Sequence, residues 1–196
     1  MIRKLQKADT DQVMQIWLNG NVEAHPFVPK DYWVSNYEMV REQLLEADVF
    51  VYEADKEVQG FIGLVDSYIA GIFVDKKYRS MGVGKQLLEY AKKQSPELSL
   101  SVYQQNRRAV EFYLREGFLV DTEGIDEETG SAELTMRCKL ENKNDGRKQE
   151  GYRSLSESDG GGAERCHLKK EQLPFPYSRL MHCLEQTKRQ PMELVR

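Results

Sequence analysis

The chain has 196 residues, of which 40% are hydrophobic and 31% are charged, and its formal net charge is -4. This composition favours one globular domain with some additional chain, and it excludes a collagen, a coiled coil or a disulfide-rich scaffold. Residues 1–140 hold 17 Lys and Arg against 23 Asp and Glu, and this acidic excess argues against a nucleic-acid-binding protein.

The N-terminus and the cysteines indicate the cellular compartment. The first residues, MIRKLQKADTDQ, lack the apolar segment of a signal peptide, and no run approaches the roughly 20 apolar residues of a membrane-spanning helix. The chain has three cysteines, and their spacing matches no disulfide framework. This pattern fits a reducing compartment, where disulfides are rare. We therefore expect a cytoplasmic protein that binds neither membranes nor nucleic acid, and a homodimer is possible.

A change in composition near residue 141 divides the chain into two parts. Apolar periodicity is continuous before this point, whereas the residues after it are rich in Gly, Ser and charge. We expect residues 1–140 to form the working domain and residues 141–196 to be a polar tail, disordered or loosely docked. The tail contains four side chains of the types that bind zinc, which are Cys166, His167, His182 and Cys183. Their spacing fits no common zinc finger, so no metal site is predicted.

The first half of the domain predicts two helices and then three strands. The first helix begins near Asp9 and ends at Asn19-Gly20, and the second spans residues 29–47. Short turns that begin with Asp join the β-rich segments, which lie at residues 49–54, 59–65 and 68–74. Connections this short predict an antiparallel meander.

The second half of the domain alternates helices and strands. A third helix begins at the glycines near residue 82 and ends before Pro96, because proline cannot continue a helix. A fourth helix runs from Asn106 to Glu116, and Gly117 ends it. Further strands are predicted at residues 98–103, 118–122 and 132–140. The fold class is therefore α/β, a mixed sheet with helices on both faces.

A basic turn with two glycines connects the strand at residues 68–74 to the third helix. Its sequence is Arg79-Ser80-Met81-Gly82-Val83-Gly84-Lys85. The unpaired N–H groups and the macrodipole of a helix N-terminus favour an anion, and glycine lets a phosphate approach the backbone closely. The turn therefore predicts a phosphate or pyrophosphate site, and the alternative is a flexible turn with solvated lysines.

Two common nucleotide-binding motifs do not fit this turn. A Walker A loop requires a glycine and a Ser or Thr at the positions of Arg79 and Gln86. A Rossmann fingerprint requires three glycines in a parallel βαβ unit, and the sequence predicts neither. ATPase and dinucleotide-binding functions are therefore excluded.

Two segments resemble the signatures of the GNAT superfamily of acyl-CoA-dependent N-acyltransferases. Residues 79–84 resemble the first, [Gln/Arg]-x-x-Gly-x-[Gly/Ala], and residues 106–118 resemble the second, Asn-x-x-Ala-x-x-x-Tyr-x-x-x-Gly-Phe. The signatures stand in the family's order with one strand between them, and the resemblance covers about residues 1–140. Residues 24–27 and 32–33 further resemble the small bacterial YiaC/YjaB type of this family.

The resemblance implies an acetyl-CoA-dependent N-acetyltransferase with a mostly antiparallel sheet that is splayed at the acyl-CoA site. Its substrates would be acetyl-CoA and a primary amine, which is either a small molecule or a protein lysine or N-terminus. The amine would attack the thioester directly, and no metal would be needed. The alternative is a non-catalytic acyl-CoA-binding sensor or interaction module.

The resemblance also assigns residues to the acetyl-CoA site. The end of the strand would pair with the pantetheine arm and polarise the thioester carbonyl, the turn would hold the pyrophosphate, and an asparagine would contact the cofactor. The residues so assigned are Ile72, Phe73, Val74, Arg79, Ser80, Met81, Gly82, Val83, Gly84, Lys85 and Asn106.

Tyr113 and His25 are the predicted catalytic residues. The resemblance places Tyr113 near the thioester sulfur, where a phenol with a pKa of about 10 can protonate the departing thiolate. Several family members have a Glu on the strand before the second signature, but this chain has Ser101 there. The candidate bases are His25, the only histidine of the domain, and Asp66 or Glu53 acting through water.

Overall fold

The computed structural model describes residues 1–139, which form a seven-stranded sheet with helices packed on both faces. The strands are β1 Ile2–Lys4, β2 Asp48–Ala54, β3 Glu57–Val65, β4 Tyr68–Val74, β5 Glu97–Tyr103, β6 Leu119–Ile125 and β7 Ala132–Lys139. The helices are α1 Thr10–Ala24, α2 Lys30–Ser35, α3 Tyr37–Leu44, α4 Val83–Gln94 and α5 Arg107–Arg115. The predicted α/β class is confirmed. The predictions for the tail, including Cys166, His167, His182 and Cys183, lie outside the described residues.

The strand order is β1-β2-β3-β4-β5-β7-β6, and every neighbouring pair is antiparallel except β4 and β5. The predicted meander of β2, β3 and β4 is confirmed. Asp55 and Lys56 connect β2 to β3 with φ values of 53° and 63°, the left-handed conformation that a tight two-residue hairpin requires. None of the helices in residues 1–139 is long and apolar enough to cross a membrane.

Two apolar cores lie on opposite faces of the sheet, because successive side chains of a strand point to opposite sides. Phe61 belongs to the core that α1, α2 and α3 cover, and its neighbour Ile62 belongs to the core that α4 and α5 cover. Trp17 and Trp33 join α1 to α2 in the first core with an edge-to-face contact of 6.2 Å. Helices α1–α3 therefore lie on one face of the sheet, and helices α4 and α5 lie on the other.

The predicted elements differ from the structure in three places. Helix α1 continues past Asn19-Gly20 to Ala24. A Cβ at Gly20 would lie 3.2 Å from the ring of Phe73, so this glycine allows close packing and does not end the helix. The second predicted helix is two helices that meet at Asn36, whose side-chain amide donates to the carbonyl of Tyr32 across 2.8 Å. Strand β1 is absent from the predicted elements because its three residues are too few for a periodic pattern.

The sheet opens between β4 and β5, as the predicted splay requires. These parallel strands share one paired position, Tyr68 with Ser99, and then diverge. A β-bulge at Ala70 follows at once, because Gly71 pairs with Gly63 of β3 while Ile69 pairs with Leu64. A bulge bends its strand and interrupts regular pairing. The divergence and the bulge leave the end of β4 without a neighbouring strand on the β5 side.

Candidate active site

A cavity of about 700 Å³ fills the opening between β4 and β5. Its walls come from the end of β4, the basic turn before α4, helix α5 and the end of α1. This volume lies within the range of roughly 300–1,000 Å³ that is usual for small-molecule sites.

The cavity brings together most of the residues that the sequence assigns to the site. Those that line it are Ile72, Phe73, Val74, Arg79, Ser80, Gly82, Gly84, Lys85, Asn106, Tyr113 and His25. Met81 and Val83 do not line it. The Met81 side chain is 66% exposed, whereas Val83 is 3% exposed and packs in the core beneath α4. Any contact of these two residues with a ligand would therefore use the backbone.

The basic turn before α4 has an unusual backbone conformation. Ser80 and Gly82 have φ values of 65° and 84°, and Gly82 is the N-cap of α4. Arg79 fixes the start of the turn, since its Nε donates to the carbonyl of Val74 across 3.1 Å. Arg108 of α5 donates to the Ser80 hydroxyl across 3.3 Å. These contacts present the first N–H groups of α4 to the cavity, and such groups bind anions.

Small residues determine the position of Phe73. Its ring stacks on Phe61 with a centroid distance of 5.0 Å. A Cβ at Gly71 would lie 2.5 Å from this ring, so only glycine leaves room for it there. The ring of Phe73 is therefore held between β4 and α1, next to the backbone that faces the cavity.

Tyr113 projects from α5 into the cavity and is 7% exposed. Its ring contacts Phe112 and Phe118 with centroid distances of 5.2 Å and 5.5 Å. Burial, with a smaller contribution from Tyr68, raises the pKa of Tyr113 well above its ordinary value. The phenol therefore remains protonated at neutral and moderately alkaline pH and can act as a proton donor.

Asn106 and His25 form a hydrogen bond inside the cavity. Asn106 caps α5, since its Oδ1 accepts from the N–H of Ala109 across 3.2 Å. Its Nδ2, 3.2 Å from His25 Nε2, is then the donor, and Nε2 is the acceptor. Burial lowers the pKa of His25 to about 4, and its contact with the backbone of Asn21 opposes this shift. His25 is therefore neutral at pH 7.

The other two candidate bases do not line the cavity. Glu53 accepts a hydrogen bond from Arg3 Nε across 2.5 Å, and Asp66 lies in the turn between β3 and β4. Three carboxylates that the sequence analysis missed do line the cavity, namely those of Glu111 and Glu116 on α5 and its C-terminal end and, on β7, that of Glu133. Only the pairing of β5 with β7 could have indicated its position, because Glu133 is paired with Tyr103.

No group of three or more His, Cys, Asp and Glu side chains within residues 1–139 is arranged to hold a metal ion. The chemistry that the cavity can support comes from its backbone N–H groups, its cations, the side chains of Tyr113 and His25, and the carboxylates of Glu111, Glu116 and Glu133. Such a set can bind an anionic ligand and move protons.

Comparisons with known proteins agree with this geometry. A family model described as an acetyltransferase (GNAT) domain matches residues 21–140. The chain is 35% identical over 130 residues to the peptidyl-lysine N-acetyltransferase YiaC of Escherichia coli strain K12. The aligned residues cover 65% of this chain and 89% of that protein. It is 34% identical over 121 residues to the peptidyl-lysine N-acetyltransferase YjaB of the same strain, 61% of this chain and 82% of that protein.

The fold is also similar to a solved structure. The solution structure of apo-form YjaB from Escherichia coli matches with a TM-score of 0.64 and 28% sequence identity. The match covers 70% of this chain and 95% of that chain. The predicted resemblance to the YiaC/YjaB type is therefore confirmed.

Proposed function

The chain belongs to the GNAT acetyltransferase family and is an acetyl-CoA-dependent N-acetyltransferase, and from this premise we propose that its acceptor is a lysine side chain of a protein or peptide. The observation that carries this choice is the carboxylate that β7 places at the cavity, with a second carboxylate in the adjoining β6–β7 loop. Glu133 lines the cavity, and Glu128 in the loop accepts a hydrogen bond from Tyr32 of α2 across 2.6 Å. Acidic groups of this kind attract a cationic acceptor. The curated relatives are named as peptidyl-lysine acetyltransferases, which supports the same choice.

The basic turn suits the pyrophosphate of acetyl-CoA. Arg79, Lys85 and Arg108 line the cavity around the N-terminus of α4, where N–H groups lack intrahelical partners. The left-handed conformation of Gly82 lets this backbone curve around an anion. Asn106 caps α5 beside this turn and can contact the same ligand.

The open edge of β4 suits the pantetheine arm. Residues 72–74 line the cavity after the bulge, and on the β5 side their backbone faces the opening instead of a paired strand. An N–H near Phe73 donates to the thioester carbonyl, where negative charge develops as the amine attacks. In other enzymes one such donor contributes about 3–4 kcal/mol to transition-state stabilisation.

Tyr113 is the general acid of this proposal. Its buried, protonated phenol lines the cavity and gives its proton to the departing thiolate. His25 is better supported as a positioning residue than as a base, because its Nε2 lone pair accepts from Asn106 and its pKa is about 4. The neutral imidazole holds the side chain of Asn106 in place.

The test is a transfer assay with the full chain, acetyl-CoA and a panel of amines. The panel contains a lysine peptide with a blocked N-terminus, a free α-amino peptide, polyamines and aminoglycosides. We expect thiol release that depends on the lysine peptide, and mass spectrometry should place one acetyl group on Nε. Transfer to small amines alone would contradict the acceptor class. Acetyl-CoA binding without transfer to any amine would support the sensor alternative.

The cytoplasmic location, the possible homodimer and the absence of membrane and nucleic-acid partners stay predictions from the sequence. The acidic excess of residues 1–140 supports the absence of nucleic-acid partners. Size-exclusion chromatography with light scattering measures the assembly state directly.

A further inference from the structure

Lysine acetylation requires a group that removes a proton from the acceptor. An amine with a pKa of about 10.4 is only about 0.1% neutral at pH 7.5, so an enzyme gains from a base beside it. Ser101 stands where several family members have a carboxylate, and Asp66 and Glu53 do not line the cavity. Glu111 and Glu116 do line it, but Glu111 is exposed and Glu116 is paired with Arg115 across 3.8 Å. His25 is also a weak candidate, since Asn106 already donates to its Nε2.

The register of β5 and β7 brings a different carboxylate to the same place. Ser101 is paired with Thr135, and Tyr103 is paired with Glu133. Residues directly opposite each other on antiparallel strands share a face, so Glu133 lies on the face of Ser101 and Tyr103. Glu133 is thus the diagonal neighbour of Ser101, at a typical separation of about 7–8 Å. An extended glutamate side chain is long enough to span this distance.

The groups around Glu133 suit a bound ammonium. Gly124 of β6 is paired with Glu133 on the side away from β5. A Cβ added at Gly124 would lie 4.0 Å from Glu133 Oε1. The titratable side chains on the surrounding elements are Tyr103 of β5, His25 at the end of α1, Tyr32 of α2, and Asp126 and Glu128 of the β6–β7 loop. None of these side chains, all within residues 1–139, is a cation at neutral pH, and this favours the binding of an acceptor ammonium beside Glu133.

We propose that Glu133 is the catalytic carboxylate that binds the acceptor ammonium and accepts its proton, replacing a carboxylate at position 101. This inference rests on the proposed function. Both Glu133 and Tyr113 line the one cavity, so the proton acceptor and the proton donor can act on the same thioester. Neither the sequence signatures nor the pattern of α5 indicates this residue, because it comes from the last strand described.

The protons and bonds of the reaction balance with these two residues. The acceptor enters as an ammonium and gives one proton to Glu133, which passes it to solvent. The neutral nitrogen forms the N–C bond while the C–S bond breaks and the thiolate takes the proton of Tyr113. The remaining excess proton of the nitrogen returns to Tyr113. The products are the amide, the free thiol of CoA and one proton in solution.

The primary experiment compares Glu133→Gln with the unmodified protein on a lysine peptide at pH 7.5 and pH 9.5. We expect kcat/KM to fall about 100-fold at pH 7.5, which is within the range of general-base catalysis. The loss should shrink to less than about tenfold at pH 9.5, because solvent then supplies more neutral amine. The Kd for acetyl-CoA should change less than about twofold. A loss that is equal at both pH values would overturn the proposal.

A second variant tests the location of the charge. Ser101→Glu added to Glu133→Gln places a carboxylate on the same sheet face from β5, and we expect it to recover at least about tenfold in kcat/KM. Glu123→Gln is the matched control, because Glu123 is on β6, does not line the cavity and contacts Gln104 instead. This control should retain the unmodified rate. No recovery in the double variant, with its melting temperature preserved, would argue against a relocated carboxylate.

The same data separate this inference from the proposed function. If the unmodified protein transfers no acetyl group to the lysine peptide, the proposed function fails. If it does transfer the group and Glu133→Gln retains its rate within about twofold at pH 7.5, only the role of Glu133 fails.

Discussion

The side chain of Asn106 donates to Nε2 of His25 across 3.2 Å and so joins the N-cap of α5 to the end of α1. These residues are 81 positions apart in the chain, and their contact crosses the cavity. The hydrogen bond connects the cavity wall formed by α5 to the wall formed by the end of α1. It also requires the neutral form of His25, which has a consequence for stability.

We expect His25 to make the fold sensitive to acid. Its folded-state pKa of about 4 lies below the ordinary value of 6.5, so the unfolded chain binds more protons between these pH values. The contribution of His25 to the free energy of unfolding is fully present above about pH 6.5 and is lost as the pH falls toward 4. At about 1.4 kcal/mol per pKa unit, and allowing for partial exposure, this loss should be about 2 kcal/mol. Urea unfolding of the unmodified protein and His25→Gln at pH 7.5 and pH 5 measures it.

The comparison with His25→Gln isolates this residue, because the remaining histidines are present in both proteins. The stability advantage of the unmodified protein over the variant should decrease as the pH falls. Parallel pH profiles for the two proteins would show that His25 does not titrate in this way.

Replacing Tyr113 with Phe removes the proposed general acid and retains the ring. We expect turnover to fall about 10- to 1,000-fold, while the Kd for acetyl-CoA changes little, because the hydroxyl acts only as the thiolate departs. Tyr90→Phe is the control, since Tyr90 of α4 packs on Phe50 and does not line the cavity. Steady-state kinetics and calorimetric titration check both values, and an unchanged turnover in Tyr113→Phe would remove this assignment.

Gly82 offers a test of the anion site at the start of α4. Its φ of 84° is unfavourable for any residue with a Cβ, so Gly82→Ala should lower the free energy of unfolding by about 1–2 kcal/mol. We expect the variant to bind acetyl-CoA about tenfold more weakly, since the turn must change shape. Gly130→Ala imposes a similar strain at a φ of 66° in the β6–β7 loop, away from this turn. Equal losses of acetyl-CoA affinity in both variants would show that the effect is global.

Gly71 offers a test of the position of Phe73. An added methyl group would lie 2.5 Å from the Phe73 ring, and overpacking of this kind costs about 1–3 kcal/mol. We expect Gly71→Ala to lower both the melting temperature and kcat. Gly63→Ala adds the same methyl group on β3 at an ordinary 3.7 Å from Ala70, so it should be tolerated. Thermal unfolding and turnover of the pair measure the effect, and equal behaviour of the two variants would contradict it.

Local signals were sufficient for much of the fold. Gly82 at the start of α4 and Asn106 at the cap of α5 follow from rules about helix ends that involve only nearby residues. Gly20 shows the limit of such rules, because a glycine within a helix looks like a stop signal. Its actual function is to make room for Phe73, a residue 53 positions later in the chain, and only the folded structure shows this contact.

The site shows the same limit. The predicted cofactor residues lie in or next to two contiguous signatures, and 11 of the 13 predicted site residues line the cavity. The carboxylate of Glu133 is different, since its position depends on the pairing of β5 with β7. His25 lines the cavity, but its low pKa results from burial among rings of Trp33 and Tyr103 that are distant in sequence.

The opening between β4 and β5 has a bearing on how such proteins diverge. It results from one paired position, Tyr68 with Ser99, and from a bulge at Ala70, which are features of backbone hydrogen bonding. Side-chain substitutions that do not disturb this backbone pairing therefore preserve the opening. If the proposed assignment holds, descendants of this chain can exchange residues on β7 and acquire new acceptors, while they inherit the groove between β4 and β5 without having to evolve it again.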